Sequence, residues 1–328
     1  MKAKVLRMLI SLFFVVFLFS GTAMSWGCKK DDYYRVVPDT VLNAESRYIA
    51  VFGDLQNYFT SNYYMDYYRG SLDWISQHTD QIRFMLHTGD ITNYNTNSEY
   101  EAFDSITAPY TEYLPFYTCI GNHDYRCDAP NPWIYRDSTH FNDYVGYPSA
   151  VSHIVNYYDP SSYENVLVAE ELFNDEPIYL LILELEPRKS VVRWADSIAR
   201  SIPDDKILLI THRYMSANGK RYLNKNYMID EESTAPQYLW DSLIYNNDNI
   251  RCVLCGHVSS LSRVLYSTNI TGRIVPQIEF NFQNQPHGGD GLIELWEFDD
   301  RGDVYVRLYN TYIQQFVNDS LTEFQFRF

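Results

Sequence analysis

Five short motifs set cation-binding side chains behind apolar runs: Asp54 and Gln56 in Gly53-Asp-Leu-Gln56, Asp90 and Asn93 in Gly89-Asp-Ile-Thr-Asn93, Asn122 to Asp124 in Gly121-Asn-His-Asp124, His212 in Thr211-His212, and His257 in Gly256-His257. Carboxylate, amide oxygen and imidazole are the hard and borderline donors that suit divalent metals. In four of the five a glycine precedes the ligand, which lets the backbone turn sharply and aim the next side chain into a crevice. The chain carries no GxxxxGK[ST] phosphate cradle, no GxSxG elbow and no HExxH pair, so nucleotide-switch, serine-hydrolase and zincin chemistry are excluded.

The elements that must position these residues are short runs rich in β-branched and aromatic residues, at 48–52, 82–86, 115–120, 206–210 and 250–255. Between them lie helical patterns carrying Leu72, Ile75, Gln77 and His78, then Val191, Trp194, Ala195 and Ile198, then Tyr238, Leu239, Ser242 and Leu243. The alternation predicts a layered α/β domain with buried, largely parallel central strands. Every motif then falls at the carboxyl end of a strand, the edge of an α/β sheet at which ligands bind. Residues 125–175 break the alternation. They are dense in Tyr, Asn, Asp and Pro, follow directly on the Asn122-His-Asp124 loop, and read as an insertion overhanging the metal ligands.

The five motifs in this order resemble the calcineurin-like metallophosphoesterases, whose pattern is DxH, GDxx[DN], GNH[DE], a later His, and GHxH. The resemblance runs over about residues 48–328, because 280–283 and 288–298 also look like a subgroup whose first motif reads DxQ. It implies an α-β-β-α sandwich of two mixed sheets with helices outside. It implies one or two divalent metal ions (Mn, Fe, Zn or Mg) at the sheet edge and hydrolysis of a phosphomonoester or phosphodiester by in-line attack of a metal-bound hydroxide. On that resemblance Asp90 bridges both metals, Asn122, His212 and His257 complete one shell, and Asp54 and Gln56 serve the other. His123 donates a proton to the leaving oxygen, with Asp124 orienting it and raising its pKa.

Two positions depart from the family pattern. Gln56 and Ser259 stand where imidazoles are usual, so one metal site should be loose and filled by Mn or Mg rather than Zn. Gln283 or His287 is positioned in the sequence to compensate, and a polar substrate loop is the competing reading of both. Arg126, Arg213 and Asn93, each beside a ligand motif, are candidates for holding substrate. For the arginines the bland alternative is an exposed surface charge, and for Asn93 a cap on the helix that begins near Asn97. His87, inside a strand, reads as a core or supporting histidine. These departures also motivate a second function: a non-catalytic surface protein on a degenerate scaffold that holds a phosphorylated glycan or lipid.

The N-terminus carries Lys2, Lys4 and Arg7 before the apolar run 8–19, a secretory signal with an h-region too short to span a membrane comfortably. Ser25-Trp-Gly-Cys28 resembles a bacterial lipobox and Lys29-Lys-Asp-Asp32 resembles the short charged signals of some surface lipoproteins. The expected organisation is a signal peptide over 1–27, a lipidated Cys28 and tether over 28–46, and a catalytic domain over 47–328 that includes the 125–175 insertion. The protein is then an outer-membrane lipoprotein exposed at the surface, with secretion or a periplasmic place as alternatives. Cys252 and Cys255 have CxxC spacing, but in a strand positions i and i+3 face opposite ways. A disulfide from Cys119 to Cys127 or Cys255 stays open.

The chain has 328 residues, 46% hydrophobic and 21% charged, enough for one large α/β domain and far from a disordered composition. With 42 acidic against 26 basic residues the formal charge is -16, which excludes a basic surface for duplex nucleic acid. The expected partner is a phosphorylated small molecule, sugar or lipid, and nothing in the sequence speaks to oligomeric state.

Overall fold

A computed structural model describes residues 35–37, 42–128, 133–137, 139–173, 176–227, 232–259, 261–318 and 322–328. The signal peptide, Cys28 and most of the tether lie outside the described residues.

Two mixed sheets carry the fold. The first runs β1 (Arg35–Val37), β16 (Gln315–Asn318), β15 (Asp303–Asn310), β14 (Leu292–Phe298), β2 (Arg47–Phe52), β3 (Ile82–His87) and β4 (Phe116–Thr118), with β17 (Phe324–Arg327) also pairing β15. The second runs β12 (Leu261–Thr268), β13 (Ile274–Asn281), β11 (Ile250–Cys255), β10 (Lys206–Ile210), β9 (Glu176–Ile182), β8 (Val166–Phe173) and β7 (Ile154–Tyr157). β5 (Arg126–Asp128) and β6 (Trp133–Tyr135) form a separate antiparallel pair. The helices are α1 (Asn62–Ser76), α2 (Asn97–Thr111), α3 (Phe141–Tyr144), α4 (Pro148–Val151), α5 (Lys189–Ser201) and α6 (Pro236–Leu239), the last continuing into a π-helical turn over Trp240–Ile244. Among the described residues no helix is long and apolar enough to cross a membrane.

Five of the parallel strands, β2, β3, β4, β10 and β11, are those the apolar runs predict, and β9 and β13 join them. β2, β3 and β4 are parallel neighbours, as are β9, β10, β11 and β13, so all five motifs follow parallel strands. Strand alternation divides the core. Leu208, Ile210, Cys252 and Leu254 pack between the sheets with Ile49 and Val51, while Ile207, Leu209, Val253 and Cys255 pack outward against Val191, Ala195 and Ala199 of α5. Cys252 and Cys255 therefore face opposite layers, and both are free, as is Cys119. The structure gives no Cys119–Cys255 disulfide; the Cys127 side chain is outside the described residues.

The expected 125–175 insertion needs correction. Only its first part departs from the sandwich, because residues 154–173 supply β7 and β8, antiparallel strands that extend the second sheet. These strands lie at the sheet's margin, where one side meets solvent, so β7 carries Asn156 and Tyr157 rather than an unbroken apolar run.

One buried acid in the sandwich has a measurable consequence. Glu294 of β14 is fully buried, hydrogen-bonded by the Ser262 hydroxyl and by Trp296 Nε1 at 2.9 Å. Burial pushes its carboxyl up to about 7, against the pull of those two hydrogen bonds. A carboxyl that holds its proton more tightly folded than unfolded contributes stability below the unfolded value of about 4.3, and that contribution is lost as pH rises through the folded value. Glu294→Gln keeps an acceptor for Trp296 and a partner for Ser262 without the charge. Urea unfolding at pH 5 and pH 8 is expected to show the variant gaining about 2 kcal/mol on the wild type over that interval. Parallel pH dependences would contradict it.

Candidate metal centre

Four donors from four strand ends meet at one point. Asn122 Oδ1 lies 2.8 Å from His257 Nδ1 and 3.1 Å from His212 Nε2. His212 Nε2 is in turn 3.2 Å from Asp90 Oδ2 and 3.3 Å from His257 Nδ1. Asp90, His212 and His257 form a cluster able to hold a metal ion. His212 Nδ1 is 2.7 Å from the Thr88 carbonyl, which places the proton on that nitrogen and turns the other toward the cluster.

The backbone is strained at the ligands themselves. Asp90 and His257 are left-handed at φ 60° and 80°, a conformation that persists in non-glycine residues only where the surroundings impose it. Of the motif glycines only Gly89 has a positive φ, 97°. Gly121 and Gly256 serve close approach instead of the sharp turn the sequence suggests: a Cβ on Gly121 would stand 2.1 Å from Asp90 Oδ1, and one on Gly256 2.5 Å from Asp54 Oδ1.

Asp54 is buried on the neighbouring side, where its Oδ1 accepts from the His257 N–H at 3.2 Å and its Oδ2 from Asn281 Nδ2 at 2.6 Å. Burial, with Asp90 adding repulsion, drives its carboxyl well above the usual range even though His212 opposes this. Burial also opposes charge on Asp90, yet His212 and the His123 N–H outweigh it and hold that carboxyl low. His212 is held up at about 9 by Asp90 and Asp54 despite its burial, whereas burial and the His212 charge push His257 down to about 3. The pocket thus demands positive charge, which a proton on His212 supplies when no cation does. Gln56 is buried and its Oε1 has no hydrogen-bond partner, as is Gln283 Oε1. An orphaned acceptor in an anionic pocket fits a divalent oxygen-binding cation.

His123 stands apart from the donor cluster. Its N–H donates to Asp90 Oδ1 at 2.8 Å and its Nδ1 lies 2.9 Å from the Asn93 carbonyl. Asp124 therefore does not orient the imidazole as expected. Its carboxylate accepts from the Gly121 and Thr92 N–H groups, both at 3.0 Å, and pins the ligand loop to the loop after β3. Burial and Asp90 raise Asp124 to about 6. The sequence missed that Asn93 holds His123 through its main chain; its side chain donates to the Gln56 carbonyl at 3.4 Å, and Thr96, not Asn93, caps α2. Arg213 is neither surface charge nor open to a phosphate: it is 5% exposed, with Nη1 2.6 Å from Glu186 Oε1. Arg126 lies in β5 and its side chain is outside the described residues. Ser259 Oγ accepts from Asn284 at 2.6 Å, and His287 stacks on Tyr67 at 4.3 Å with Nδ1 3.0 Å from Asp290 Oδ1, so His287 is committed elsewhere. His87 is a core residue, its Nδ1 2.8 Å from Thr118 Oγ1.

Comparison with known proteins agrees with this fold. The purple acid phosphatase PPD1 from yellow lupin (Lupinus luteus) seeds shares the fold with a TM-score of 0.54 at 14% identity, covering 87% of this chain and 54% of that one. YvnB of Bacillus subtilis (strain 168), itself uncharacterized, is 23% identical over 296 residues, 85% of this chain. The chain spans 21% of YvnB's length and about half of the lupin enzyme's. Residues 47–260, which hold β2 to β11 and all five motifs, match the calcineurin-like phosphoesterase family, and to that family this chain belongs.

Proposed function

We propose that this chain hydrolyses phosphoesters at a divalent-metal centre held by Asp90, Asn122, His212 and His257, with Asp54 and Gln56 serving an adjoining cation. The observation that carries the reading is the meeting of four donors, from the ends of strands β3, β4, β10 and β11, each within 3.3 Å of at least one other. A bound divalent cation supplies a Lewis acid for the phosphoryl oxygens. The chain's own groups do the rest. Asp90 fixes the His123 backbone, the Asn93 carbonyl holds Nδ1, and Nε2 is left as the nitrogen that passes a proton to the leaving oxygen. The substrate is a phosphorylated small molecule, sugar or lipid. Assay of Mn-loaded protein with 4-nitrophenyl phosphate and bis(4-nitrophenyl) phosphate tests this, and no metal-dependent turnover of either would favour the second reading.

That second reading, a non-catalytic binder of a phosphorylated glycan or lipid, draws on Gln56 and on Ser259, whose hydroxyl is engaged by Asn284. If the Gln56 side is the weak one, Gln56→His should tighten the second cation about tenfold and shift preference from Mn toward Zn, read by metal titration. Cys28 is the proposed lipid anchor at the cell envelope, and Cys28→Ser is expected to move the protein from the membrane to the soluble fraction.

A further inference from the structure

One buried carboxylate holds the segment that reaches His257. Glu186, left-handed at φ 43° and 1% exposed, accepts from the Asn226 N–H at 2.7 Å, the Tyr227 N–H at 3.2 Å and Arg213 Nη1 at 2.6 Å. Its carbonyl lies 3.4 Å from Arg136 Nη2. Arg213 ties the same segment twice more, through the Asn224 carbonyl at 3.3 Å and by lying 3.7 Å over the Tyr222 ring. A left-handed glutamate is strained, and it is kept where several partners over-determine it. What this clamp delivers is Tyr227, half-buried, its ring 6.0 Å from that of His257 and nearly perpendicular to it at 83°.

We propose that Tyr227 is a wall of the metal pocket that meets the substrate's ester group, and that Glu186 is the positioning residue that sets where this wall stands. The proposal rests on the phosphoesterase reading and narrows its substrate class. An aromatic wall beside a metal ligand favours phosphoesters whose ester group is planar, since ring pairs attract one another beyond what their buried area gives. The ring, not the hydroxyl, makes this contact.

Calorimetry on the Mn-loaded protein with phenylphosphonate and methylphosphonate tests it without turnover. Tyr227→Ala is expected to weaken phenylphosphonate about tenfold while methylphosphonate and Mn change less than about twofold. Tyr227→Phe should bind as the wild type does. Glu186→Gln, which breaks the Arg213 pair, should reproduce the alanine loss and speed tryptic cleavage at Lys225. Unchanged phenylphosphonate binding in Tyr227→Ala overturns the proposal, as does an equal loss for both phosphonates or a parallel loss of Mn, either of which makes Tyr227 a mere support for His257. Wild-type protein that prefers phenylphosphonate yet hydrolyses nothing sinks the catalytic reading alone, whereas wild-type protein that binds neither phosphonate sinks this one.

Discussion

Asp90→Asn is expected to lower Mn affinity at least about 100-fold and hydrolysis at least about 1000-fold, because it removes a charge shared by the donor cluster and the proton-donor loop. One Asp90 oxygen accepts the His123 N–H at 2.8 Å and the other lies 3.2 Å from His212 Nε2. Asparagine is the informative replacement. The residue sits at φ 60°, where Asn is tolerated and Ala adds strain of about 1–2 kcal/mol that would confuse the result. Metal titration beside an activity assay checks the outcome, and a variant that keeps wild-type Mn affinity would remove Asp90 from the shell.

The second large effect separates catalysis from metal holding. His123→Ala should cut kcat about 100- to 10,000-fold while Mn affinity stays within about twofold, since the imidazole is tied to the Asn93 carbonyl rather than to the donor cluster. The defect should be least for 4-nitrophenyl phosphate, whose leaving group departs without a proton, and greatest for an alkyl ester. A uniform loss across leaving groups, or loss of metal, would show that His123 acts by supporting the Asp90 loop. Because Asp124 bonds to the backbone and not to His123, Asp124→Asn is the useful contrast: it should lower stability more than it changes the leaving-group dependence.

The central strands and the donors at their ends were legible in the sequence because both are local signals. A buried parallel strand is a short run of β-branched and aromatic residues, and a ligand must follow it directly. The runs 82–86 and 206–210 lie within β3 and β10 for that reason. The sequence reading failed where the deciding partner is remote. β7 and β8 were hidden because β7 is too short for a sustained apolar run and β8 runs into two glutamates, and the pairing of β7 with β8 and of β8 with β9 is a tertiary fact. Arg213 looked available beside His212 until Glu186, a neighbour only through the fold, claimed it.

The amino-acid order by itself determined which chemistry is possible here: oxygen and nitrogen donors, their succession, and an imidazole next to an amide. Tertiary structure decided who meets whom. Hydrogen-bond geometry, burial and the absence of room for a Cβ at Gly121 depend on atoms brought together from distant parts of the chain, and no local pattern encodes those distances.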